Sequence, residues 1–140
     1  MNTHKIARRM LERAGIILEE ARLLEKRKAW NLVVRRCQEI VELALKAALF
    51  WAGIEAPRIH DVGPILRRNA GRFKEPFKSQ VPRLASISRS LRAERETSFY
   101  GDEQSGVPPE ELYTQEDAQK AIALAIEVLD ACKALIMEEG

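Results

Sequence analysis

The stretch KAWNLVVRRCQEIVELALKAALFWAG, from Lys28 to Gly53, decides the fold class of this chain. Its apolar side chains recur at steps of three and four residues and leave a polar strip with an arc of only roughly 60°, at about 100° per residue. The strip consists of Arg35, Glu39, Glu42 and Lys46. A helix that is apolar over most of its circumference packs against neighbours on several sides. We therefore predict a helix from Lys28 to Ala52, stopped by Gly53, at the centre of a helical bundle.

The rest of the chain supplies helical partners for this segment. The predicted partners are a helix of about six turns after an Asn2 or Thr3 cap, a short helix between a His60 or Asp61 cap and Asn69, a helix from about Pro82 to Ser98, and a last helix to Ile136 opened by a Thr114–Asp117 capping box. No segment alternates between apolar and polar residues over a length that would indicate a β-strand. We predict an all-α fold, an up-and-down bundle of four long helices plus one short helix.

Length and composition indicate one soluble domain over residues 1–140, with 46% hydrophobic residues and a formal net charge of +2. A chain of this length can bury a stable core without disulfides or a structural metal. Cys37 and Cys132 each lie in an apolar helical pattern, so we predict reduced core thiols in a cytoplasmic protein. No apolar run is long enough to span a bilayer and none resembles a signal peptide, so we expect no membrane association.

The net charge conceals an uneven distribution along the chain. Residues 58–95 hold 10 basic and 3 acidic side chains, whereas residues 96–117 hold 7 acidic and no basic ones. Such a division is typical either of an anion-binding surface or of internal charge pairing. The acidic stretch overlaps a predicted loop from Ser98 to Tyr113, which has two glycines and two prolines. A loop of that length is usually functional or mobile.

Many enzyme classes lack support in this sequence. There is no Gly-rich phosphate loop followed by Lys-Ser or Lys-Thr, no G-x-S-x-G, no H-E-x-x-H and no C-x-x-C. The chain has only two histidines, His4 near the terminus and His60. We interpret His60 as a cap or turn residue, because the sequence identifies no partner that would make it a catalytic base.

Two groups of charged residues are candidates for a site. Glu39, Glu42 and Lys46 form either a polar site between helices, or a solvated strip or dimer-interface salt bridge. No E-x-x-H pair accompanies these carboxylates, so we assign no metal, and we assign no cofactor. Arg89, Arg92 and Arg95 step at three residues along one edge of the predicted fourth helix. Guanidinium groups at this spacing could hold phosphate, or they could be neutralised by Glu94, Glu96 and the acidic loop.

Three motifs together resemble the HEPN domain family. They are QEIVELALKAAL at Gln38–Leu49 within the run from Ala29 to Gly53, followed by a turn and His60; RAERETSFY at Arg92–Tyr100; and TQEDA at Thr114–Ala118. Each motif is generic, but their order and spacing match the family over nearly the whole chain. The resemblance implies an up-and-down helical bundle like the C-terminal domain of kanamycin nucleotidyltransferase, usually a homodimer. It also implies a small nucleotidyltransferase partner, and a role either in binding nucleotides or substrates or as an RNA-cutting toxin of a toxin–antitoxin pair.

The ribonuclease members of this family carry R-x4–6-H, in which His takes part in transfer at the 2′-hydroxyl and Arg supports the phosphate. Here four residues separate Arg95 from Tyr100, so R-x4-Y stands where R-x4-H is expected. The positions permitted from Arg92 hold Thr97, Ser98 and Phe99. A phenol with an ordinary pKa of about 10 is a poor proton carrier at pH 7. Because the histidine of the ribonuclease motif is absent, we assign no catalytic residue.

Our leading hypothesis is a non-catalytic domain that binds a nucleotide, an RNA phosphate or a nucleotidyltransferase partner. The predicted binding residues are Arg89, Arg92, Arg95 and Tyr100, with Glu39, Glu42, Lys46 and His60 as secondary candidates. One alternative is a divergent ribonuclease that uses Tyr100 or His60 in place of the missing histidine. Another is a purely structural homodimer whose charges only pair with each other.

Overall fold

A computed structural model describes residues 2–56 and 58–137, and it places four long helices in one bundle. The long helices are α1 (Thr3–Lys26), α2 (Trp30–Trp51), α4 (Phe77–Arg92) and α7 (Gln115–Ile136); the short ones are α3 (Gly63–Arg68), α5 (Thr97–Tyr100) and α6 (Pro109–Leu112), with a 3₁₀ turn at Ala70–Arg72. Over the described residues no strand is formed, apart from one isolated bridge between Asp102 and Val107. The predicted all-α bundle is confirmed.

Helix α2 lies at the centre of the bundle and contacts α1, α4 and α7. Its apolar side chains Val33, Ile40, Leu45 and Leu49 are completely buried. Cys37 is buried here as a free thiol, and burial is the main reason that its pKa is raised to about 12. The nearly apolar circumference seen in the sequence is thus a consequence of neighbours on several sides.

The predicted N-terminal caps of the first and last helices, α1 and α7, are confirmed. The Asn2 side chain accepts hydrogen bonds from the amides of His4 and Lys5, each at 3.1 Å. At the start of α7, the Thr114 amide donates to Asp117 Oδ2 at 2.9 Å and the Asp117 amide donates to Thr114 Oγ1 at 3.3 Å. These bonds satisfy amides that the first turn of a helix leaves without partners.

The predicted cap of α3 is wrong. The N-cap residue is Val62, and neither His60 nor Asp61 holds that position. The Asp61 carboxylate instead accepts a hydrogen bond from the Gly63 amide at 3.0 Å, while the His60 side chain points to α2 and contacts Glu42.

The predicted limits of α4 are wrong at both ends. The helix begins at Phe77, so Pro82 lies inside it. Pro82 has no amide hydrogen to donate to the carbonyl four residues earlier in the helix. Because Pro82 lies on the exposed side of the helix, that carbonyl can accept a hydrogen bond from water instead. Phe77 and Val81 are buried and extend the apolar face toward the N-terminus. At the other end α4 stops at Arg92, so Arg95 lies in a turn, not on the helix.

The predicted loop from Ser98 to Tyr113 contains more structure than its composition indicates. It includes most of α5 and all of α6, and the Asp102 amide donates to the Val107 carbonyl at 2.9 Å. Gly101 has a φ of +79°, and a Cβ there would collide with the Val107 carbonyl oxygen. The segment is therefore a folded connection that needs a glycine at this position. Over residues 2–56 and 58–137, no helix is both long and apolar enough to cross a membrane.

Candidate functional site

The polar strip of α2 is covered by other parts of the chain. The side chains of Arg35, Glu39, Glu42 and Lys46 are only 15% to 26% exposed. The turn between α4 and α5 approaches the strip through Arg95, and the connection between α2 and α3 approaches it through His60. The strip is thus a partly buried polar layer, and the contacts of Glu42 define its centre.

The carboxylate of Glu42 is contacted by the side chains of four other residues. Its Oε1 atom lies 2.9 Å from Gln38 Nε2, 3.0 Å from His60 Nδ1 and 4.0 Å from Arg95 Nη1. Its Oε2 atom accepts a hydrogen bond from Lys46 Nζ at 2.8 Å. We call these five residues (Gln38, Glu42, Lys46, His60 and Arg95) the Glu42 cluster. The cluster unites two predicted groups of candidates, because Arg95 belongs to one and Glu42, Lys46 and His60 to the other.

Glu42 is ionised at neutral pH. Burial by itself would raise its pKa, but hydrogen bonds from Lys46, Gln38 and His60 outweigh burial and hold the pKa below its ordinary value. One carboxylate therefore faces two permanent cations, Lys46 and Arg95, together with an imidazole. The cluster has a surplus of positive charge, and a surplus of this kind in a partly buried site attracts anions.

Arg95 is fixed in place by contacts with α2. Its Nη1 donates to Gln38 Oε1 at 2.6 Å, and its backbone carbonyl accepts a hydrogen bond from Arg35 Nη1 at 2.7 Å. Three residues later, the Ser98 carbonyl accepts a hydrogen bond from buried Asn31 at 3.1 Å. The turn is thus tied to α2 at Arg95 and again at Ser98, which orients Arg95 toward the cluster.

His60 is oriented by the residue that follows it. Asp61 accepts a hydrogen bond from the buried Ser88 hydroxyl at 3.0 Å, and Ser88 in turn accepts one from the Val62 amide at 3.2 Å. Because the ionised Glu42 can only accept, Nδ1 of His60 carries the proton, and a neutral ring keeps its lone pair on Nε2. The His60 side chain is 42% exposed, so it forms the part of the cluster most accessible to a ligand.

The other predicted binding residues do not converge on this cluster. Arg89 is 83% exposed and lies 3.9 Å from Asp61, and Arg92 pairs with Glu96 at 2.9 Å. Tyr100 is 60% exposed and meets Phe99 edge-on, with ring centroids 5.0 Å apart. The predicted edge of three arginines is therefore divided: Arg95 turns inward, while Arg89 and Arg92 stay on the outer face of α4.

Charge pairing between the basic and acidic segments is limited. Within the described parts of the chain, Arg92–Glu96 is the ion pair that joins an arginine of α4 to the acidic segment. Glu94 accepts a hydrogen bond from the Tyr113 hydroxyl at 2.7 Å instead of pairing with an arginine. Most of the charge division therefore persists in the folded chain.

Gln38 is the member of the cluster that the sequence analysis missed. It is 2% exposed, donates to Glu42 and accepts from Arg95, so it links the carboxylate to the guanidinium. Its position could have been recognised from the sequence, because Gln38 is a polar residue on the otherwise apolar side of α2. It lies four residues before Glu42, and side chains at positions i and i+4 of a helix are neighbours. The contact between Glu42 and the ring of His60 was also not predicted, because the two residues are distant in the sequence.

Comparison with known proteins gives the same family as the motifs. A family model described as the HEPN domain matches residues 7–135. A protein of Methanocaldococcus jannaschii named "Putative toxin MJ1304" is 30% identical over 141 residues, which covers 96% of this chain and 91% of that protein. No solved structure gives a significant match. The family model and this relative each extend over nearly the whole bundle, including the residues of the Glu42 cluster. The chain belongs to the HEPN domain family.

Proposed function

We propose that this HEPN domain binds the phosphate of a nucleotide or of RNA at the Glu42 cluster. The observation that carries the proposal is the sharing of one carboxylate by Lys46, Arg95 and His60. A phosphate oxygen can accept hydrogen bonds from the guanidinium of Arg95, from the ammonium of Lys46 and, where the ring of His60 is doubly protonated, from its Nε2, without displacing Glu42. The exposed Arg89 and the partly exposed Arg92 would attract the ligand toward the cluster, and Tyr100 would offer a ring for base stacking.

The family adds two partners to this proposal. We propose that the domain forms a homodimer and that a small nucleotidyltransferase associates with it. The name of the Methanocaldococcus relative, "Putative toxin MJ1304", supports a toxin role, and we propose that this chain acts as a member of a toxin–antitoxin pair and is located in the cytoplasm. Co-purification from the native host, with size-exclusion chromatography and light scattering, tests both partners.

Titration of ATP and of a short single-stranded RNA tests the phosphate site. We expect Arg95→Gln and Lys46→Gln each to weaken binding by at least about tenfold, since one charged hydrogen bond contributes about 1.5–3 kcal/mol. Arg83→Gln is the matched control, because it removes the same charge from an arginine of α4 that pairs with Glu127 at 2.9 Å outside the cluster. Equal affinity for all four proteins, or an equal loss in the control, would contradict the proposal.

Salt dependence separates this proposal from a purely structural dimer. Neutralising one phosphate of a single strand at the cluster predicts a slope of about −0.7 for log K against log salt concentration. A structural dimer whose charges only pair with each other predicts no measurable affinity for either ligand. The same titrations at two salt concentrations distinguish the two.

RNA cleavage is a second candidate function, favoured by the 3.0 Å contact between His60 Nδ1 and Glu42. In this reaction His60 Nε2 would accept the proton of a 2′-hydroxyl, whose oxygen attacks the adjacent phosphorus and expels the 5′-oxygen. The expelled oxygen would take up a proton from water, and the imidazolium would return its proton to the solvent. The products would be a 2′,3′-cyclic phosphate and a free 5′-hydroxyl. Cleavage that His60→Gln abolishes and Tyr100→Phe leaves unchanged would support this activity; intact RNA at micromolar protein would reject it.

A further inference from the structure

A concave region outside the Glu42 cluster is lined in part by Glu94 and Thr97, which flank Arg95 in the chain. It is a cleft of about 670 Å³ between the end of α4, the start of α7 and the connection from α5 to Tyr113. Apolar side chains from three helices contribute to its lining: Val34, Leu91, Ala121 and Leu124. This volume and this mixture of apolar and polar lining are typical of small-molecule sites.

The charged side chains of the cleft are mainly acidic. They are Glu94, Asp102, Glu103, Asp117 and the single cation Lys120. Among the described residues, no Lys or Arg forms an ion pair within 4.0 Å of any of these four carboxylates. The carboxylates near the Glu42 cluster, by contrast, each have a cationic neighbour. The cleft therefore holds an excess of negative charge that the described part of the protein does not neutralise.

Glu94 is held so that it can face a ligand. The Tyr113 hydroxyl donates to its Oε2 atom at 2.7 Å, which leaves Oε1 available as an acceptor. Burial, followed by the bond to Glu94, raises the pKa of Tyr113, so the phenol remains a donor. Asp102, which also lines the cleft, accepts hydrogen bonds from the backbone amides of Gln104 and Ser105, and these bonds fix the local fold of the acidic connection.

We propose that this cleft binds a small organic cation, an aliphatic amine of the polyamine class. The carbon chain would lie on Leu91 and Leu124, while ammonium groups would bond to Glu94 and to Glu103 of the loop. An anion is excluded by the four carboxylates, and a bare metal ion would make no use of the apolar floor. This site is separate from the proposed phosphate site and does not depend on it.

Titration of spermidine into the full chain, followed by ¹H–¹⁵N and methyl NMR, tests the cleft. We expect saturable shifts at Leu91, Tyr113 and Leu124, and a loss of affinity of at least fivefold in Glu94→Gln/Glu103→Gln. Glu110→Gln/Glu111→Gln is the matched control, because it removes the same charge from the same acidic segment outside the cleft lining. Thermal unfolding of each variant establishes that its fold is intact.

Three results would overturn the proposal. The first is the absence of saturable spermidine binding at millimolar concentration. The second is an equal loss of affinity in both double variants, which would indicate attraction by net charge alone. The third is a set of Mg²⁺-induced shifts at Leu91 and Leu124 equal to those from spermidine, which would show that the apolar floor has no part in recognition.

Discussion

Replacing Glu42 by glutamine removes the shared charge at the centre of the Glu42 cluster and should destabilise the fold. Removing one partner of a buried ion pair costs about 3–5 kcal/mol. Glu42 keeps 17% exposure, and glutamine retains one acceptor oxygen, so we expect a loss of about 2 kcal/mol. At this chain length that loss corresponds to a fall in Tm of roughly 7 °C.

The stabilising contribution of Glu42 should depend on pH in a direction that its pKa fixes. The pKa of Glu42 is lowered from its ordinary value of 4.5 in the folded chain, so the ionised carboxylate is favoured by folding. Its contribution is fully present above pH 4.5 and is lost as the pH falls through the folded-state pKa. The difference in unfolding free energy between wild type and Glu42→Gln should therefore be largest at pH 7 and should shrink as the pH falls below 4.5.

Chemical denaturation of wild type and variant between pH 3 and pH 7 measures this difference. Glu127→Gln is the control, since its partner Arg83 is 59% exposed and such surface pairs contribute about 0–1 kcal/mol. If Glu42→Gln matched wild type at pH 7, or if a large difference remained constant down to pH 3, the assignment of Glu42 as the charged centre would be refuted.

Other predictions test the elements that hold the site in place. Thr114→Ala should cost about 1 kcal/mol in urea denaturation, because it removes the hydroxyl of the α7 capping box; an unchanged midpoint would contradict this role. Gly101→Ala should lower Tm because a Cβ at a φ of +79° collides with the neighbouring backbone, whereas Gly15→Ala, with nothing within 4 Å of a Cβ, should add about 0.5–1 kcal/mol of stability. Cys37 and Cys132, both buried with raised pKa values, should react with a thiol reagent only at the rate of unfolding; rapid labelling of the native protein would show otherwise.

Periodicity and capping chemistry predicted the bundle because they are local properties of the chain. The wide apolar surface of α2 required neighbours on several sides, and Asn2 and Thr114 are favoured caps whose bonds need only adjacent residues. The start of α4 was misplaced for an equally local reason. Proline is usually found in the first turn of a helix, so Pro82 predicted a helix start. The buried side chains of Phe77 and Val81 stabilise an earlier turn through tertiary packing, and the helix begins before Pro82.

The site was less predictable because it depends on contacts between distant parts of the chain. Glu42 and His60 are 18 positions apart, and Arg95 and Gln38 are 57 positions apart. Such pairs leave no periodic signal. The spacing of Arg89, Arg92 and Arg95 predicted a common edge only while the helix was assumed to continue to Ser98; because α4 ends at Arg92, Arg95 turns away from the other two.

The central claim is that a phosphate binds where Arg95 and His60 meet Glu42. The most direct test is NMR of the side-chain nitrogens during titration with a short single-stranded RNA. We predict saturable shifts of the His60 ring nitrogens and of the Arg95 guanidinium, with Arg83 unaffected. Shifts of equal size at Arg83, or unchanged resonances of His60 and Arg95 at saturation, would contradict the claim.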